Sequence, residues 1–206
     1  AEIQPTDTPV NTLGNPDASQ SGDVFFDTEF DSADNWTLLA VPKTDSSKYQ
    51  AYAQGGKLYM EIQPASVTLY AFYDLVLNNS DVYIETYAHK VAGPNTNNLS
   101  VMCRGSDKGW YEFSITSGGY WYIWRYLDGK YLLLTKGATK VINMQGEPNT
   151  VGASCIGSTL TLYANGKEVG STTDTSHSGG GQVGVSVYAE FPGLGVEFDY
   201  FKAVVP

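Results

Sequence analysis

"GWYEFSITSGGYWYIWRY", residues 109–126, is the stretch whose reading decides the fold. Tyr or Trp fills seven of its eighteen positions. In its first half Tyr111, Phe113 and Ile115 share one parity, and Trp110, Glu112 and Ser114 the other. Successive side chains of a strand point to opposite faces, so this is a strand with Glu112 and Ser114 marking its outward face. Ser117-Gly118-Gly119 reads as the turn into a second strand. There Trp121 and Ile123 lie on one side, and Tyr120, Tyr122, Trp124 and Tyr126 on the other. Both sides are apolar, so alternation alone does not choose the buried one.

The same reading extends outward from this hairpin. "DVFFDTEF", "NWTLLAV", "YQAYAQ", "GKLYMEIQ", "SVTLYAFY", "DVYIETYAHKV" and "NNLSVMCRG" precede it, separated by Gly, Asn, Pro or Ser/Asp clusters. "KYLLLTK", "NTVGASCIG", "STLTLYANGKEVGS", "GQVGVSVYA" and "LGVEFDYFKAVV" follow. Short strands at this spacing predict an all-β, antiparallel two-sheet sandwich or barrel, and no stretch carries a sustained helical period. Asn165-Gly166 supplies the positive φ angles of a two-residue hairpin turn. Residues 1–22 hold three prolines, many Ser, Thr and Asp, and few apolar side chains. That is the composition of an extended tail or linker, leaving residues 23–206 as one domain.

The formal net charge of −10 argues against nucleic acid or an anionic membrane surface as partner and leaves a neutral polysaccharide open. No apolar run is long enough for a membrane-spanning helix. No signal peptide is visible, and Ala1 is the kind of end a signal peptidase leaves, which points to an extracellular or cell-surface location. Cys103 and Cys155 each sit in a strand-like segment. If those strands are neighbours, a disulfide would close a loop of roughly fifty residues, adding about 3–4 kcal/mol. Two buried free thiols are the alternative.

In "DVYIETY", Val82 and Ile84 read as inward, leaving Tyr83, Glu85 and Tyr87 outward. Aligned with Tyr122, Trp124 and Tyr126, these would form a face where rings stack on sugar C–H groups and a carboxylate accepts hydroxyl hydrogen bonds. The same rings can instead brace a sheet through cross-strand pairs or meet another protein.

The C-terminal half resembles the concanavalin-A-like, laminin-G-like jelly rolls of bacterial extracellular proteins. It is most similar to the group of 3-keto-disaccharide hydrolase-like and domain-of-unknown-function modules. The resemblance rests on Gly109 to Ile115, with Trp110 where such modules carry Tyr, and on Asn165-Gly166. Gly181 to Val185, Val196 to Phe201 and the opening "FFDTEFDSADNW" complete it. It covers residues 24–206 and implies two stacked antiparallel sheets. The first and last strands would pair, Phe26 would lie near Phe198 in the core, and a concave face would bind or cleave saccharides.

Laminarinase-like enzymes of this fold carry Glu-x-Asp-x-x-Glu on one strand; that motif is missing here. Asp81 with Glu85, and Glu197 with Asp199, are the remaining carboxylate pairs. His89 and His177 lie in no metal-ligand spacing. The acidic run "FDTEFDSADN" lacks the Asp-x-Asp-x-Asp-Gly calcium loop and reads as a solvated loop, with Ca2+ as the alternative. Asn35, Asn78 and Asn98 open Asn-x-Ser/Thr sequons. The expectation is therefore a non-catalytic carbohydrate-binding or adhesion module. The first alternative is a structural subunit of a filament or surface layer, whose tail docks on an identical neighbour. A glycosidase-like enzyme acting on 3-keto-disaccharides is the second.

Overall fold

A computed structural model describes residues 23–206, with side chains from residue 27 onward. The tail over 1–22 and the side chain of Phe26 lie outside the described residues. In chain order the strands are β1 Asp23–Thr28, β2 Trp36–Val41, β3 Tyr49–Gln54, β4 Lys57–Ile62, β5 Val67–Tyr73, β6 Val82–Ala92, β7 Asn98–Ser106 and β8 Gly109–Thr116. They continue with β9 Tyr120–Leu127, β10 Lys130–Ala138, β11 Asn149–Ile156, β12 Thr159–Ala164, β13 Lys167–Thr173, β14 Gln182–Ala189 and β15 Leu194–Val205. Among the described residues the only helical element is the 3-10 turn Ser46–Lys48, where the Asp45 carboxylate accepts from the Ser47 amide.

The strands form two antiparallel sheets. One runs β13-β12-β11-β6-β15-β4-β3, with β1 also on β15; the other runs β10-β9-β8-β7-β14-β5-β2. The first and last strands pair as the resemblance implied, with Phe26 opposite Ala203 in register. Asn165 and Gly166 both take positive φ, making the β12–β13 turn that their sequence predicts.

The core lies between the sheets and is built from the inward parity of each strand. Tyr111, Phe113 and Ile115 of β8, Trp121 and Ile123 of β9, and Val82 and Ile84 of β6 are all buried in it. Alternation left β9 undecided; packing chooses Trp121 and Ile123 as its inner side.

Two devices join the layers. Cys103 on β7 and Cys155 on β11 form a disulfide between strands of opposite sheets. At one flank the Trp121 indole fills a slot between Gly137 on β10 and Gly170 on β13. A Cβ would stand 2.5 Å from the indole at Gly137 and 2.2 Å at Gly170. Arg104, buried with φ 54°, anchors one end of the sandwich. Its guanidinium donates to the carbonyls of Ser80, Gly157 and His177, from three separate connections.

One expectation needs correction. β6 and β9 do not neighbour each other: β6 pairs with β11 and β15, and β9 with β8 and β10. Tyr83, Glu85 and Tyr87 therefore belong to one sheet, and Tyr122, Trp124 and Tyr126 to the other. Alternation fixes a residue's face only within its own sheet, and sheet membership is a long-range property.

Candidate functional site

The outer face of the seven-stranded sheet is laid out by strand register. One row holds Tyr70, Ser186, Ser100, Ser114, Tyr122 and Lys136. The next holds Phe72, Gly184, Met102, Glu112, Trp124 and Leu133. Beyond it Trp110, Tyr126 and Tyr131 stand opposite one another. Small side chains occupy the middle and rings the wings.

This face is concave. Five strand spacings separate β5 from β10, about 24 Å in a flat sheet. Yet the hydroxyls of Tyr70 on β5 and Tyr131 on β10 meet. Two tyrosine side chains cannot span that distance, so the sheet curls toward them. Small residues let it do so: a Cβ at Gly184 would stand 2.3 Å from the Ala71 carbonyl oxygen.

Glu112 sits in the trough. Its Oε2 accepts from the Tyr70 hydroxyl at 3.0 Å and its Oε1 from Ser186 at 3.0 Å. Burial pushes its carboxyl above the usual range, with the Ser186 and Tyr70 hydrogen bonds opposing. Burial and the Glu112 charge also push the Tyr131 phenol up. Alongside, Ser100 donates to Ser114 at 2.9 Å. Trp110, Met102, Phe72 and Tyr70 form a second apolar cluster, separate from the main core. The Trp110 indole N–H in this cluster is buried, and the Glu112 carboxyl is the group it acts on.

Tyr122, Trp124 and Tyr126 are half-buried on the β9 wing. Tyr122 and Trp124 stack with centroids 5.6 Å apart and planes at 27°. Tyr126 stacks on Trp110 at 4.3 Å and leans on Tyr131 at 4.7 Å. Three of the six predicted ligand contacts thus share one surface. Glu112, Tyr70 and Tyr131 join them without having been selected from sequence. Glu112 was legible as outward-facing, but its enclosure depends on the curl of the sheet.

The other three lie on the outer face of the eight-stranded sheet. Tyr83 and Glu85 are buried and Tyr87 half-buried. Glu85 accepts hydrogen bonds from Tyr83 and Tyr200, both at 2.6 Å. The Tyr83 hydroxyl lies over Gly152, where a Cβ would be 2.8 Å away. These residues form a tyrosine–carboxylate brace.

The remaining candidates are engaged elsewhere. Asp81 accepts from the Gly157 amide at 2.9 Å and lies 3.5 Å from Arg104. Glu197 pairs with Lys57 at 2.8 Å and His89 at 3.1 Å, while Asp199 is exposed. His177 donates from Nε2 to the Tyr126 carbonyl. Asp27, Glu29, Asp31 and Asp34 of the acidic run are exposed. Among the described residues no three His, Cys, Asp or Glu side chains converge as a metal site. Asn35 and Asn78 are exposed; Asn98 is half-buried on the concave face.

No family model matches the sequence, and no curated protein matches it. Solved structures do. A carbohydrate-binding module, CBM66, from Bacillus subtilis superposes with TM-score 0.63 at 14% identity, covering 82% of this chain and 97% of that one. The catalytic domain of an endo-1,3-beta-glucanase (laminarinase) from Thermotoga petrophila RKU-1 gives 0.63 at 11%, covering 88% and 97%. LamAcat from Zobellia galactanivorans gives 0.64 at 9%, covering 91% and 100%. The fold is the concanavalin-A-like jelly roll, and at these identities the likeness is one of fold.

Proposed function

We propose that this protein is an extracellular, non-catalytic carbohydrate-binding or adhesion module of a bacterial surface, with the glycan on the concave face of the seven-stranded sheet. The observation that carries this reading is the half-buried Tyr122–Trp124 stack beside a hydroxyl-bearing trough. Ring faces take sugar C–H groups, and their polar edges take hydroxyls. Hydrolysis by the usual route needs two carboxyl groups about 5–9.5 Å apart. The described strands bring one to the trough, Glu112, with both oxygens already hydrogen-bonded. The disulfide supports an oxidising, extracellular compartment. The fold is shared by a binding module and by glucanases, which favours a saccharide setting.

Glycan arrays followed by affinity electrophoresis test the reading. Trp124→Ala should weaken binding about tenfold or more. Failure of the wild-type protein to bind any glycan would remove it.

A second reading, a subunit of an extracellular filament or surface layer, draws on β2. Among the described residues this strand pairs only with β5, carries no charged residue, and exposes Leu38 and Leu39. Uncharged open edges invite strand addition. Electron micrographs of the full chain and of residues 23–206 test it. Polymers formed by the full chain alone would support a role for the tail, whereas monomers of both would exclude this reading.

A further inference from the structure

The concave trough is roofed by Tyr131, which stands on an edge strand paired only to β9 among the described residues. The β9–β10 turn, Asp128-Gly129, is a tight hairpin with φ 49° and 80°. Tyr131 itself is 42% exposed, while Glu112, Ser100, Ser114 and Ser186 of the trough are at most 4% exposed. A buried floor of three hydroxyls and a carboxyl is a costly way to fill a sheet surface, since polar groups lose free energy on leaving water. Aliphatic side chains would pack there at lower cost. The floor's hydrogen bonds run among its own members and to Tyr70, whose hydroxyl Tyr131 meets.

We propose that Tyr131 is a displaceable roof over a sugar-ring subsite, its phenol ring occupying the place of one non-anionic glycosyl unit. The proposal rests on the carbohydrate-binding reading and adds to it a pocket and a ligand class. A phenol and a pyranose are both six-membered rings, and the solvent side of Tyr131, 42% exposed, gives room for the bulkier substituents of the sugar. Glu112, Ser100 and Ser186 then read vicinal hydroxyls of that unit, and Tyr126 and Tyr70, the rings that Tyr131 touches, face its C–H groups. The unit is not anionic, because the trough's ionisable group is a carboxyl, which repels an anionic sugar. The nearest cation in register, Lys136, stands opposite Tyr122 on the rim.

Methyl glycosides of glucose, galactose, mannose and xylose serve as probes, with binding read by NMR shift perturbation and calorimetry. Tyr131→Ala should bind at least one of them about tenfold more tightly than the wild type. Tyr131→Phe, which removes only the hydroxyl contact, should show a smaller gain in the same direction. Adding Glu112→Gln to Tyr131→Ala should abolish the gain. No gain in either Tyr131 variant, with thermal melts showing both folded, overturns the roof; so does a gain that survives Glu112→Gln. The two readings separate cleanly. If the wild type binds oligosaccharides through Trp124 but neither Tyr131 variant gains, the platform stands and the roof falls. If the wild type binds no glycan but Tyr131→Ala takes a methyl glycoside, the roof stands and the open platform falls.

Discussion

Gly170 on β13 lies directly against the indole of Trp121 on β9, across the flank where the two sheets meet. A Cβ there would stand 2.2 Å from the ring, and one at Gly137, which also abuts the indole, 2.5 Å. Gly170→Ala should therefore cost about 1–3 kcal/mol by overpacking. This is read as a lower urea midpoint with an unchanged slope. Gly179→Ala, with nothing within 4 Å of its Cβ, is the neutral control. Equal stability of the two variants would mean that the slot yields.

The Cys103–Cys155 bridge spans 52 residues of sequence. On chain-entropy grounds it contributes about 4 kcal/mol by restricting the unfolded chain. Urea unfolding with and without a thiol reductant should differ by up to that amount. Coincident curves would show that packing alone joins β7 to β11.

Arg104 ties three connections together through their carbonyls, at 2.8–2.9 Å. Arg104→Met keeps the aliphatic stem and removes every donor. Stranding those acceptors should cost about 3–5 kcal/mol. Amide exchange should rise at residues near Ser80, Gly157 and His177 before it rises in the core. Uniform change throughout the sandwich would argue against a local anchor.

Acid should lower the stability of the protein in two stages. Burial lowers the His177 pKa below its ordinary 6.5, against the raising effect of the Tyr126 carbonyl. A base whose folded pKa is depressed favours the unfolded chain once pH drops below the unfolded value, so the first loss begins near pH 6.5. Burial pushes the Asp174 carboxyl up, but hydrogen bonds from Tyr111 and Ser176, with Arg125 beside it, outweigh this and hold it below 3.8. Burial likewise raises Glu197, and hydrogen bonds from Lys57 and His89 outweigh it, leaving it below 4.5. Stabilisation from depressed carboxyls is complete above their unfolded values and lost as pH falls through the folded ones. Melting temperatures from about pH 8 to about pH 3 should show both stages. His177→Asn should flatten the first and Glu197→Gln reduce the second; a profile unchanged by either variant would reject the assignment.

Much of this architecture was legible in the sequence. Strand positions follow the quoted segments closely, and the Asn165-Gly166 turn and the pairing of first with last strand are present. The parity of "WYEFSI" placed Tyr111, Phe113 and Ile115 in the core, where they lie. The candidate face was legible in part. Tyr122, Trp124 and Tyr126 stand on a common outer surface, but Tyr83, Glu85 and Tyr87 brace the other sheet. The Tyr131 roof left no sequence signal, because its partner Tyr70 is 61 residues away.

The amino-acid order by itself determined where strands run and which side of most of them is apolar. Both are local consequences of the two-residue repeat, since a strand must withdraw one face from water. Tertiary structure alone decided which strands share a sheet, how strongly that sheet curls, and hence that Glu112 is enclosed while Tyr122 and Trp124 keep an open edge. Those outcomes come from register and packing among residues far apart along the chain, where one shape must satisfy every contact at once.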